Sequence, residues 1–283
     1  MPQSYTLIIN CPDRPGIVYN VSGIIFEHGG NILESRQFED SETGRFFLRI
    51  VFESDCEQSI MADALAKLGE AFEMDWKLVR TDRPVKVLIL VSKFDHCLAY
   101  LLYKARMGDM PIEIVGIASN HPASALTASD IRDIPFHHLP VTSDTRAQQE
   151  ACIKALVEES GAELVVLARY MQILSDDLAA YLSGRCINIH HSFLPSFKGA
   201  KPYHQAHTHG VKMIGATAHY VTAALDEGPI IHQAVECVTH EDSPNDLVRK
   251  GREIENQVLG HAVGWHVTHR VVMNGRKTVV FRN

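Results

Sequence analysis

Two short stretches in the second half of the chain hold the residue types that acyl chemistry uses. In Cys186-Ile187-Asn188-Ile189-His190, side chains of a strand alternate, so Asn188 and His190 face one way and the two isoleucines the other. Burying such polar groups without partners costs roughly 2–7 kcal/mol each. They therefore meet each other, water or a ligand, and a satisfied polar pair at a strand end fits this stretch as well as a binding site does. The second stretch, His219 to Ile231, contains Asp226-Glu227-Gly228 in the loop after a strand. Asp-x-Gly by itself reads as a turn. Together with Asn188 and His190 it completes a carbonyl-orienting amide, an imidazole and a carboxylate, a set suited to acyl transfer.

The elements that must position these groups can be read from periodicity. Residues 85–92, 112–119, 163–168, 186–190 and 214–220 read as strands, and 98–105, 144–160 and 243–266 as helices. The run at 85–92 is continuously apolar, as a buried parallel strand should be. This alternation predicts an α/β fold, a doubly wound and mostly parallel sheet, with Asn188 and His190 at the carboxyl edge where open sheets build sites. A closing hairpin is expected around Asn274-Gly275. Ahead of a polar linker at 80–84, strands at 5–10, 32–40, 45–53 and 74–79 and helices at 17–28 and 59–72 give the order β-α-β-β-α-β of a ferredoxin-like unit. The expected domains are 1–82 and 83–283.

Composition narrows the class. Of 283 residues 46% are hydrophobic and 22% charged, and the net charge of -7 argues against a general binder of nucleic acid or membrane surfaces. No segment reads as a signal peptide or membrane span. The six cysteines are scattered, so a reducing, cytoplasmic setting is expected. Sixteen histidines raise the question of a metal, but none sits in an H-E-x-x-H or comparable pattern, and no metal is expected.

The first unit resembles the ACT domain, on Asp13-Arg14-Pro15-Gly16-Ile17 after the first strand and Gly29-Gly30-Asn31-Ile32 after the first helix. That resemblance implies a regulatory or oligomerising role, a homo-oligomer, and an amino-acid effector near Asp13, Gly16, Gly30 and Asn31. Residues 85–283 resemble the folate-dependent formyltransferase fold, with Asn-x-His at 188–190, Asp-x-Gly at 226–228 and Leu194-Pro195-Ser196-Phe197-Lys198-Gly199 between them. The whole chain is similar to the formyltetrahydrofolate deformylase family. Val91 to His96, Pro135 to Pro140, His190-His191, Gly199 to His204 and Gly215 to Val221 carry that likeness.

The resemblance implies hydrolysis of 10-formyltetrahydrofolate, which enters as substrate, with no permanently bound cofactor. Asn188 would hold the formyl oxygen, protonated His190 would stabilise its developing charge, and Asp226 would tune the imidazole and position or deprotonate water. Folate contacts are implied at Tyr170, Met171, Ile173, Leu174, Lys198, Gly199, Thr222 and Gly228, and Gln172 stands where relatives commonly carry arginine. Two alternatives remain: formyl transfer to an amine such as glycinamide ribonucleotide, and a silent amino-acid-sensing module. Against the former, Ser92-Lys93-Phe94-Asp95-His96-Cys97 lacks the glycines of a phosphate-cradling loop, and Asp95 is expected to repel a phosphate.

Overall fold

The computed structural model describes residues 2–192 and 202–282. In chain order the elements are β1 (Gln3–Pro12), α1 (Ile17–Glu27), β2 (Asn31–Asp40), β3 (Arg45–Ser54), α2 (Gln58–Phe72), β4 (Asp75–Arg80), β5 (Val85–Val91), α3 (His96–Arg106) and β6 (Ile112–Ser119). There follow a short turn of 3-10 helix at Ala123–Ala125, β7 (Phe136–His138), α4 (Arg146–Ser160), β8 (Leu164–Leu167), α5 (Asp176–Tyr181) and β9 (Cys186–His190). The chain ends with α6 (Pro202–Thr208), β10 (Met213–Tyr220), β11 (Ile230–Cys237), α7 (Pro244–Val267), β12 (Val271–Asn274) and β13 (Lys277–Val280). Sequence periodicity missed β7, α5 and α6, which are too short to show a period.

The chain divides into two compact units, one comprising Met1–Pro84, Thr268–Asn274 and Val279–Asn283, the other Val85–Val267 and Gly275–Thr278. The first is the expected β-α-β-β-α-β fold, a sheet in the order β2-β3-β1-β4. One sheet face, with Tyr5, Leu7, Ile9, Leu48, Ile50 and Phe52, packs on Val21 and Ile25 of α1 and Met61 and Leu65 of α2. The other face carries Phe47 and Arg49. There the end of the chain returns, which a boundary at 82/83 did not anticipate: Phe47 packs with Val272 and Phe281. Arg49 donates through Nε to the His269 carbonyl at 3.0 Å, and Arg270 pairs with Glu34 at 3.3 Å.

The second unit is built on a seven-stranded sheet, β11-β10-β9-β8-β5-β6-β7. From β9 to β7 neighbouring strands run parallel, and β10 and β11 are antiparallel to their neighbours. The sheet is therefore mostly parallel, as the alternation predicts. Its apolar strands β5 and β8 are buried throughout their inner residues, between α4 and α5 on one side and α3 and α7 on the other. Among the described residues no helix is long and apolar enough to cross a membrane.

The returning tail is an integral part of the first unit. Phe281→Ala removes an aromatic ring from the Phe47 contact and should cost about 3 kcal/mol of that unit's stability. The measurement is thermal unfolding with hydrogen exchange read in β3; unchanged protection at Phe47 and Arg49 would show that the tail adds nothing.

Candidate active site

Asn188 and His190 project from the same face of β9, half-buried, while Ile187 and Ile189 are buried on the opposite face. β9 is also where the sheet changes direction. Its antiparallel ladder with β10 sets His219 directly opposite Asn188 and Thr217 opposite His190. Such cross-strand neighbours stand about 5 Å apart at Cβ. Beyond β10 the chain turns back at Asp226, whose φ of 56 lies in the left-handed region.

Gly228 makes that turn possible. A Cβ at this position would collide with the Tyr220 carbonyl oxygen and come within 3.2 Å of His219 Nδ1. The glycine of the Asp-x-Gly pattern thus lets the loop lie against the end of β10 and swings the Asp226 carboxylate over β9.

Four side chains meet there. Asp226 Oδ2 is 3.2 Å from His190 Nδ1, and Oδ1 is 3.6 Å from His219 Nε2. Asn188 Nδ2 donates to Asp226 Oδ1 at 3.4 Å and lies 3.2 Å from His219 Nε2. The fractional exposures of the His190, Asp226 and His219 side chains are 16%, 26% and 3%. The His190 hydrogen bond, with the His219 imidazole beside it, holds the Asp226 carboxyl well below the usual carboxylate range, against the opposing effect of burial. It is therefore an anion at any physiological pH.

His219 escaped the reading from sequence. Its Nδ1 is 2.9 Å from the Tyr220 carbonyl, an acceptor, so Nδ1 carries a hydrogen. Its Nε2 is then turned toward Asn188 and Asp226. The signal lay in the ladder: with β9 and β10 antiparallel, the residue opposite Asn188 follows from register, whereas a parallel reading hides it.

The implied folate residues are only partly presented. Met171 and Ile173 are exposed, Leu174 is half-buried, and Thr222 is exposed with its hydroxyl donating to the Ala224 carbonyl. Tyr170 is buried: its ring lies in the core with Leu88, Leu90 and Leu167, and burial pushes its pKa up to about 12. The loop that follows is fastened by Met171 N to Ser92 Oγ at 2.9 Å and by Ser175 N to the buried Glu150 at 2.8 Å. Lys198 and Gly199 lie outside the described residues. Asp95, expected to repel a phosphate, is buried and accepts from Ala128 N at 2.8 Å.

In the first unit Gly16, with φ 94, begins α1. Strand pairing puts Pro12 and Asp40 on either side of Arg45, and Asn31 beside Glu53 at the other end of the sheet. The four implied effector residues therefore separate. Asp13 and Gly16 are at one end and Gly30 and Asn31 at the other, with the 11 residues of α1 between them.

The family models match the chain accordingly: Formyl transferase over residues 85–263 and ACT domain over residues 5–69. A formyltetrahydrofolate deformylase of Corynebacterium sp. (strain P-1) is 50% identical over 282 residues, covering 98% of both chains. The chain belongs to the formyltetrahydrofolate deformylase family. The crystal structure of a deformylase from Burkholderia mallei superposes with a TM-score of 0.92 at 47% identity, covering 99% of this chain and all of that one. A glycinamide ribonucleotide transformylase from Symbiobacterium toebii reaches 0.66 at 29% identity and covers 73% of this chain.

If the geometry at Gly228 positions Asp226, Gly228→Ala in this deformylase-family chain should fold but lose at least about a hundredfold in rate, the scale of removing one preorganised contact. Formate release and a circular dichroism melt measure the two effects. A folded variant with undiminished turnover would show that the loop tolerates displacement.

Proposed function

We infer that this chain hydrolyses 10-formyltetrahydrofolate to formate and tetrahydrofolate, with Asn188, His190 and Asp226 acting on the formyl group. The observation that carries the reading is the Asp226 carboxylate reaching the His190 imidazole at 3.2 Å and the Asn188 amide at 3.4 Å, in a chain of which deformylases match 98%. The transformylases match the second unit at much lower identity, so water is favoured over an amine as acceptor.

The geometry supports a definite division of labour. His190 gives Nδ1 to Asp226, which leaves Nε2 to face substrate. Asn188 Nδ2, 3.2 Å from His219 Nε2 and 3.4 Å from Asp226 Oδ1, carries two N–H donors, and the formyl oxygen would take one of them. A formyl oxygen placed between that N–H and a protonated Nε2 gains charge as water adds to the carbon, and both donors strengthen with it. The ionised Asp226 orients the water by accepting one of its hydrogens and takes the proton as the carbon–oxygen bond forms. The proton passes to N10 as the carbon–nitrogen bond breaks, leaving formate and the secondary amine.

Two experiments bear on this. Formate should appear from 10-formyltetrahydrofolate with no amine added, and dependence on an amine would favour the transferase alternative. Asp226→Asn should keep the fold and bind folate yet lose on the order of a thousandfold in rate. Wild-type turnover would remove the carboxylate from the mechanism.

For the first unit we propose assembly and effector binding through one surface. β2 is an edge strand whose Ile32, Leu33 and Phe38 are exposed, and α1 exposes Tyr19 and Phe26. Antiparallel pairing of two such edges about a twofold axis brings Asn31 of one copy toward the Asp40 end of the other, the end that carries Asp13 and Gly16. An amino-acid effector would then complete its contacts across two copies. Leu33→Lys with Phe38→Lys should lower the subunit number in light scattering and abolish any amino-acid binding seen by calorimetry. An unchanged mass would place the interface elsewhere.

A further inference from the structure

The outer pairing of β10 slips at the residue the site uses. From Met213 to Ala218 the ladder with β11 is regular, and Ala218 stands opposite His232. His219 then stands opposite Ile230, so the register shifts between Ala218 and His219. Irregularities of this kind disrupt the ladder locally and re-aim side chains, so β11 holds His219 less firmly than the residues before it.

Tyr220, the last residue of β10, supplies a second hold. Its N–H donates to the Pro229 carbonyl at 2.9 Å, which fixes the returning loop. Its carbonyl accepts from His219 Nδ1 at 2.9 Å and fills the space that a Cβ on Gly228 would need. The backbone of one residue thus touches both the histidine and the turn that carry the Asp226 carboxylate to β9. The Tyr220 side chain leaves on the other side: it pairs with Ile187 and projects with it from the face opposite Asn188. There it is buried, and burial pushes the phenol up, so it stays a neutral hydrogen-bonding group. Its hydroxyl lies 2.7 Å from His266 Nδ1, and the two rings meet edge to face with centroids 5.7 Å apart.

His266 is a firm anchor. It stands in the last turn of α7, one turn beyond Ala262 and Val263, which with Val258 and Leu259 are fully buried. Sliding or rotating α7 would disturb that packing. The loop that follows Tyr220, in contrast, is exposed from Thr222 to Leu225. The tyrosine–histidine pair therefore ties the end of β10 to a helix that cannot easily move.

We propose that Tyr220 and His266 are positioning residues for the reaction: their hydrogen bond fixes the end of β10, and through the Tyr220 carbonyl it sets His219 and the Gly228 turn so that Asp226 meets His190. Both act from the face of the sheet opposite Asn188. The effect on rate rests on the hydrolytic reading above, and the anchoring of His219 does not.

Tyr220→Phe and His266→Phe each keep a ring and remove the polar atom. In the full-length protein each should lower kcat for formate release on the order of tenfold and leave KM within about twofold, a smaller loss than a full ångström of misplacement brings. The double variant should be no slower than either single one, because both remove the same bond. His266→Asn, which offers a polar atom near the Nδ1 position, should regain most of the rate. Wild-type kcat in folded Tyr220→Phe overturns the proposal. So does a double variant whose loss is the product of the two single losses, or a His266→Asn no faster than His266→Phe. If His266→Phe does not fold, Tyr220→Phe decides alone. Nitrogen-15 spectra of histidine-labelled protein give a reading independent of turnover. The His219 Nδ1 proton, sharp in wild type, should broaden in Tyr220→Phe, and an unchanged signal overturns the anchoring. No formate from wild type would remove the hydrolytic reading and leave that spectrum to decide.

Discussion

Asp226 accepts from His190 through one carboxylate oxygen and faces His219 and the Asn188 amide through the other. Each of those partners comes from a strand whose position is set by the sheet, but the carboxylate comes from a loop and must be carried to them. Its left-handed backbone and the close approach at Gly228 do that, against the carbonyl of Tyr220. A non-glycine residue in that region stores strain on the order of 1–3 kcal/mol, which persists only where the surroundings over-determine it. Here the surroundings are two imidazoles and an amide on one carboxylate.

The change of strand direction at β9 is what permits this arrangement. A parallel neighbour on that side would have to return by a crossover and could not put its residues in register beside Asn188 with a short loop to follow. The antiparallel β10 instead faces β9 with His219 and ends where Asp226 must begin. On the other flank β9 pairs in parallel with β8, and Arg169 follows two residues beyond the end of that strand. The two sides of β9 thus differ in character. One carries the carboxylate and its histidine, the other a guanidinium held by Glu255 from α7.

Much of this was legible in the residues. Alternation along 186–190 put Asn188 and His190 on one face, and the Asp-x-Gly pattern marked the loop that delivers the acid. The order of elements in the first unit, and the longer elements of the second, followed from periodicity. What stayed hidden depends on contacts between distant positions. His219 needed the antiparallel register. Glu255 sits inside the regular pattern of a long helix, and nothing local distinguishes a buried carboxylate there from a solvated one. The resemblance implied a folate contact at Tyr170, whose ring lies in the core, and Asp95, expected to repel a phosphate, is held inside by a backbone N–H. The tail beyond Val267 looked like the end of the second unit because a hairpin signal says nothing about which sheet it covers.

The central claim is that water, brought to the formyl carbon beside Asp226, is the acceptor. Turnover of 10-formyltetrahydrofolate in water labelled with oxygen-18, followed by mass analysis of the formate, tests it directly. The account predicts one labelled oxygen per formate, in equal amount to the tetrahydrofolate formed. Unlabelled formate, or tetrahydrofolate formed with the formyl group recovered on an amine, would contradict it.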